Sequence, residues 1–263
     1  LVGGEIYGKR GDKNTDAKGV GAGQLYDRDR LGLITNASNA SVEKLTVASD
    51  YKIYISNRNS PVAISPLFAE TEGSATFNDV EIKNINNTGA APNTTVFVGG
   101  SSNRDLIVKT GGFIGNVTKD GNIYFTNCNM SATIQSTLTT DKVYAGGYVG
   151  YVDTNNNFYI NDSNNDSKKS CTLSGKIELG GTNNAYLGGF IAYISDGKRR
   201  KININNFTVD GFTATSNASG TAGGFLGYNW DNATVILGDG TETNKGVTVT
   251  NSSLNYTNKT TFG

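Results

Sequence analysis

The chain has 263 residues, with 23 lysines and arginines against 23 aspartates and glutamates and no histidine. A balanced charge supplies no field to draw it onto nucleic acid or an anionic membrane, and the lack of histidine excludes Ser-His-Asp and Cys-His catalysis and the HExxH zinc site. Thirty-four glycines, three prolines and abundant Asn, Thr and Ser favour strands and turns over helices, so the expected class is all-β.

In chain order, residues 1–60 are the most irregular part. The opening "LVGGEIYG" reads as a copy of a phrase that returns later. Without an initiator Met or a signal peptide, the chain is expected to be an excised segment of a longer protein. Arg10, Gly11 and Asp12 form an integrin-type tripeptide, here set against the simpler reading of a charged loop.

The recurring phrase is two glycines, an aromatic, an aliphatic and a small residue: "TGGFIGNV" from Thr110, "AGGYVGYV" from Ala145, "LGGFIAYI" from Leu187 and "TAGGFLGY" from Thr221. With the residue after the glycines as a marker, copies fall at Leu67 (in "SPLFAE"), Phe113, Tyr148, Phe190 and Phe225, spaced 46, 35, 42 and 35 residues. A second phrase runs in step with it, as "ITNA", "FNDV", "FTNC", "INDS", "INNF" and "VTNS". It supplies a column of residues suited to a left-handed corner: Asn36, Asp79, Asn127, Asp162, Asn206 and Asn251.

Two alternating phrases with variable loops between them predict an array in which each unit is one coil. Helical repeats are excluded by the absence of a 3.6-residue period. A propeller needs more hairpin signals than Asp120, Asp196, Asp210 and Asp239 supply. The expected fold is a right-handed parallel β-helix, a single β-solenoid domain over residues 1–263, with about six irregular coils stacked about 4.8 Å apart. Each coil has a "GGFIG" strand, an "IYFTN" strand and a shorter third such as "SATIQ" or "SGKIEL".

Strand alternation divides the first phrase into two faces. The face with Phe113, Tyr148 and Phe190 is expected in the core, its rings stacked over the small residues. The face with Ile114, Val149, Ile191, Asn116, Tyr151, Tyr193 and Tyr228 is expected to point outward, where it meets solvent, a covering loop or a partner; the alternative, set above a dedicated binding strip, is that loops cover it or that both faces are buried, as in many parallel sheets. Tyr151, Tyr193 and Tyr228, with Trp230, are therefore the candidate ligand contacts. Cys128 and Cys171 begin matching stretches and are expected to pack inside one coil apart, with Phe207 next in the series.

Other features read as bland. Asp27, Asp29, Glu70 and Glu81 occupy no common position of the repeat, as expected for scattered, solvated carboxylates rather than an active site. Asp162, Asn164 and Asp166 have calcium-loop spacing, but Leu173 stands where the bidentate Glu belongs, so no metal or cofactor is expected. The "GKRRK" run at 197–201 reads as a charged turn blunting an edge. Sequons such as those at Asn36, Asn93, Asn116, Asn217 and Asn258 follow from composition. No stretch approaches the roughly 20 apolar residues of a spanning helix, so no membrane insertion of this segment is expected.

The alternating "GGFIG…FTNC…SATI" pattern resembles the GLUG repeats of bacterial surface proteins, over roughly residues 60–260 and more weakly over 1–60. The family's apolar pair is commonly Leu-Val, where this chain has Phe-Ile, Tyr-Val and Phe-Leu, a departure that also admits a resemblance to an autotransporter passenger or another haemagglutinin-like solenoid. The resemblance implies a secreted or surface-displayed, non-catalytic solenoid that acts as an adhesin or stalk and binds a host or cell-surface protein or glycan. Two other functions stay open: a spacer in a secreted peptidase and a carbohydrate-active β-helix enzyme.

Overall fold

A computed structural model describes residues 5–9, 30–49, 51–56, 61–84, 96–99, 106–137, 142–161, 170–180, 184–195, 200–229, 233–237, 246–256 and 260–262. Arg10, Gly11, Asp12, Asp27, Asp29, Asn93, Asp162, Asn164, Asp166, Trp230 and Asn258 lie outside them. Among the described residues every regular element is a strand, and every strand pair is parallel.

The strands form three sheets, visited in a fixed cyclic order. Sheet A runs Glu5–Lys9, Tyr51–Ser56, Val96–Gly99, Thr133–Ser136, Lys176–Leu179, Thr213–Ser216 and Ser253–Tyr256. Sheet B runs Arg30–Leu31, Val62–Ile64, Ile107–Gly111, Lys142–Gly146, Asn184–Gly188, Ser219–Gly223 and Thr260–Phe262. Sheet C has 14 strands. Its first two passages are single long strands, Ile34–Ser49 and Phe68–Asn84. From the third round the same path is cut into three, first as Ile114–Lys119, Gly121–Thr126 and Asn129–Ser131. Sheets A and B thus each hold seven strands, where about six coils were expected.

The opening phrase is misplaced by the sequence reading. Glu5–Lys9 pairs with Tyr51–Ser56 in sheet A, whereas every glycine-pair phrase lies at the junction of sheets B and C. The first copy is instead "LGLIT": Leu33 and Ile34 donate backbone N–H groups to the carbonyls of Pro66 and Leu67. It lacks the second glycine and the ring, which hides it.

Aromatic rings fill the space enclosed by the sheets. Phe113, Tyr148, Phe190 and Phe225 follow one another from round to round with centroids 4.6, 5.3 and 5.1 Å apart. Rings from the second phrase meet this column edge-on: Phe125 lies 5.3 Å from Phe113 and Phe207 lies 5.6 Å from Phe190. Each such pair contributes about 0.5–1.5 kcal/mol beyond burial. Tyr148 is the polar member of its column, and its hydroxyl donates toward the carbonyls of Cys128 and Thr172 at 2.5 and 2.9 Å. Burial holds this phenol protonated well beyond its ordinary range.

Cys128 and Cys171 are buried free thiols, and Cys171 pairs with Phe207 as the matching stretches indicated. The Cys128 N–H donates to Cys171 Sγ at 3.3 Å. Burial pushes the Cys171 thiol well up.

The corner column also holds, with two corrections. Asp79, Asn127, Asn206 and Asn251 have φ of 55°, 51°, 53° and 49°, left-handed values that short amide and carboxylate side chains tolerate. In the fourth round the left-handed residue is Asn161, at φ 50°, one position before Asp162, which lies outside the described residues. In the first round Lys44, at φ 51°, stands opposite Asp79, because its neighbours Glu43 and Leu45 pair with Asn78 and Val80. Asn36 lies a strand-half away, and its Nδ2 donates to Glu72 Oε1 at 2.9 Å. Side chains lace the corners together: Asn127 Nδ2 donates to Asp79 Oδ1 (2.6 Å), the Asn127 N–H to Asn161 Oδ1 (3.0 Å), and Asn161 Nδ2 to the carbonyls of Asn205 and Asn206 (2.9 and 3.1 Å).

Candidate functional site: a tyrosine-lined corner

The glycine pair builds the site. Gly111, Gly146, Gly188 and Gly223 are the first glycines of successive phrases. A Cβ there would lie 2.2, 1.9, 1.9 and 1.7 Å from the carbonyl oxygen three residues on. The second glycines face the next round: a Cβ at Gly112, Gly147 or Gly189 would lie 2.4, 2.1 or 2.0 Å from the carbonyl oxygen of the second glycine of the following phrase. These distances correct the expectation that the glycines make room beneath stacked rings. The first lets the chain fold on itself, and the second lets the folded backbones stack.

The bend at the second glycine and the ring interrupts strand alternation. That is why Ile114, Val149 and Ile191, expected on an outward face, are fully buried in the core. Beyond the bend, Tyr151, Tyr193 and Tyr228 are half-buried.

The direction of the fold is set by Gly146, which shares a face with Tyr144. The chain folds toward that face, so the ring of Tyr144 in sheet B meets that of Tyr151 in sheet C across a re-entrant corner at 4.8 Å. Two columns line this corner. On the sheet C wall, Tyr151, Tyr193 and Tyr228 stack nearly parallel, 5.3 and 5.0 Å apart with interplanar angles of 2° and 8°. On the sheet B wall, Tyr144 and Tyr186 stack at 5.0 Å. The walls interlock edge-to-face, Tyr144 with Tyr193 at 4.7 Å and Tyr186 with Tyr193 at 5.0 Å.

Toward the chain's beginning, the same two columns turn polar. Lys109 pairs with Tyr144, and Glu70 pairs with Asn116, which pairs with Tyr151. Lys109 Nζ sits 4.0 Å from the centroid of the Tyr151 ring and donates to Asn116 Oδ1 at 3.3 Å. Asn116 Nδ2 donates to Glu70 Oε2 (3.2 Å), and Arg30 Nη2 lies 2.6 Å from Glu70 Oε1. Burial lowers the affinity of Lys109 for its proton, against the opposing pull of Asp153 and Glu70. Burial pushes the Tyr151 phenol up, helped by the nearby Asp153 carboxylate.

Glu70 is therefore a buried, paired carboxylate rather than a solvated one. Asn116, read as a sequon, is also buried, with both ends of its amide engaged. Glu81 fits the surface reading, beside Lys83 at 2.9 Å. Within the basic run, Arg200 is 2% exposed, and its Nε and Nη1 donate to the carbonyls of Thr154 and Ser195 at 2.6 and 2.5 Å. This side chain is an internal clasp, not an edge-blunting charge; Gly197, Lys198 and Arg199 lie outside the described residues.

The sequence reading missed Tyr144, Tyr186 and Lys109, each two residues before the first glycine of its phrase. The same period of two that marked Tyr151 and Tyr193 places them on one face with that glycine. Among the described residues no group of three or more His, Cys, Asp or Glu side chains could hold a metal ion. Comparison of the chain with protein-family models, curated proteins and solved structures found no match.

Proposed function

We propose that the chain is a right-handed parallel β-solenoid displayed on a cell surface or secreted, serving as a non-catalytic adhesive or stalk module. It contacts host or neighbouring-cell molecules through the tyrosine corner. The strict order of the three sheets and their one-round register support the solenoid, and parallel crossovers are right-handed in about 98% of cases. The similarity to GLUG-repeat surface proteins points to the same setting.

The observation that carries the binding role is the pair of facing tyrosine columns, with Tyr151, Tyr186, Tyr193 and Tyr228 all half-buried. Tyrosine offers a broad apolar body and a polar tip at little conformational cost, which suits it to recognition. In Tyr151→Phe, Tyr193→Phe and Tyr228→Phe combined, the rings keep their stacking while the hydroxyls are lost. Cell-surface binding by the purified protein is expected to weaken about tenfold, with an unchanged thermal midpoint. Full binding by the triple variant would sink the assignment.

A further inference from the structure

We infer that Lys109 and Asn116 react with each other, joining Lys109 Nζ to Asn116 Cγ in an amide cross-link with release of ammonia, and that Glu70 moves the proton. The chain thereby staples itself across the glycine bend between sheets B and C.

The first argument is the placement of three side chains. Lys109 lies in Ile107–Gly111, Asn116 in Ile114–Lys119, and Glu70 in Phe68–Asn84 of the preceding round. The bend between the first two strands brings their side chains together. Lys109 Nζ donates to Asn116 Oδ1 at 3.3 Å, and Asn116 Nδ2 donates to Glu70 Oε2 at 3.2 Å. A lysine ammonium only donates and a carboxylate only accepts, so the two partners fix which end of the amide is which. The amine therefore faces the carbonyl end, and the carboxylate faces the nitrogen that has to leave. One C=O bond separates Oδ1 from Cγ, which puts the electrophilic carbon within about 4.5 Å of the amine, close to the distance at which positioned groups react.

The second argument is the surroundings. Asn116 and Glu70 are each 6% exposed, and the ring of Tyr151 covers Lys109 Nζ at 4.0 Å from its centroid. Burial favours the neutral amine, the form with a lone pair to attack. Arg30 Nη2 holds the far carboxylate oxygen, Glu70 Oε1, at 2.6 Å, which leaves Oε2 to Asn116. Lys119, Glu72 and Asn36 bring the same three residue types together in a different order. There Lys119 pairs with the Glu72 carboxylate, which also accepts from Asn36, and Lys119 is 67% exposed. That set is a surface ion pair, whereas the Lys109 set lines an amine up on an amide carbonyl.

The chemistry balances within the three side chains. Neutral Lys109 Nζ attacks Cγ, and the new N–C bond forms as the carbonyl π electrons move onto Oδ1. Glu70 Oε2 takes the proton released by the attacking nitrogen and returns one to Nδ2. The Cγ–Nδ2 bond then breaks, ammonia departs and the carbonyl re-forms. A primary amine and a primary amide become a secondary amide and ammonia, with nothing oxidised or reduced.

Mass spectrometry of the intact, purified chain is expected to read about 17 Da below the sequence mass, the loss of one ammonia. Trypsin should leave the bond after Lys109 uncut, because the acylated side chain has lost its charge, and yield a peptide over residues 105–119 that carries the same loss. Lys109→Arg should restore the full mass, and Glu70→Gln should cut the cross-linked fraction at least about tenfold. A full-mass chain overturns the inference. So does a loss of ammonia in material that trypsin still cuts after Lys109, which marks cyclisation of an asparagine instead. Undiminished cross-linking in Glu70→Gln overturns the role of Glu70. The unsubstituted chain decides the cross-link by itself, so a variant that fails to fold does not blunt the test.

Discussion

Gly188→Ala is expected to remove about 3 kcal/mol or more of stability. The methyl carbon would lie 1.9 Å from the Ile191 carbonyl oxygen, 2.5 Å from its carbon and 2.8 Å from the Gly227 nitrogen. All three atoms are backbone, so no side-chain rotation relieves the clash. The bend would have to open, and sheets B and C meet at that bend in the rounds on either side as well. Gly224→Ala is the internal control, since a Cβ there meets nothing within 4 Å. Urea unfolding followed by circular dichroism should show a large drop in midpoint for the first variant and a small change for the second. Equal midpoints would mean that the corner is not built as described.

Phe190→Ala is expected to cost about 3–5 kcal/mol, the usual range for deleting a buried ring. Phe190 is fully buried and touches five rings: Phe125, Tyr148, Phe158, Phe207 and Phe225, at centroid distances of 5.7, 5.3, 6.0, 5.6 and 5.1 Å. It therefore ties together rings from four successive rounds. Against a total stability of about 5–15 kcal/mol for a typical domain, this loss is large. Phe190→Leu keeps most of the volume and should cost about 1–2 kcal/mol. Denaturant midpoints of the two variants give the comparison, and a cost under about 1 kcal/mol for the alanine would contradict the packing.

Much of the fold is legible because it repeats. The in-step phrases locate the strands of sheet C, the matching "SATIQ" and "SGKIEL" stretches fall in register in sheet A, and Cys171 lies beside Phe207 as their shared position implied. What the sequence hid depends on where alternation breaks. A period-two reading assumes a straight strand, but the phrase bends at its second glycine and ring, so Ile114 and Val149 enter the core although their parity places them outside. Corner positions slip for a related reason: "INDS" turns one residue early at Asn161, and Lys44 bears a left-handed φ that its residue type does not advertise.

The candidate site was half visible. Tyr151, Tyr193 and Tyr228 form one wall, as their recurrence suggested. The facing wall of Tyr144 and Tyr186 depends on a fold-back between sheets that only the backbone path reveals. The pairing of Glu70 with Arg30 and Asn116 spans residues 40 and 46 positions apart in different rounds, a distance that no local motif encodes.

The central claim is that ligands meet this chain at the tyrosine corner, and chemical footprinting tests it most directly. The protein is treated with a tyrosine-nitrating reagent, free and bound to target cells, and each tyrosine is quantified by mass spectrometry. Tyr124 and Tyr159, which stack at 4.9 Å on a different part of sheet C, are also half-buried and serve as the reference. Binding should protect Tyr151, Tyr193 and Tyr228 while leaving Tyr124 and Tyr159 as reactive as in the free protein. Protection of the reference pair alone, or none at the corner in material shown to be bound, would contradict the account.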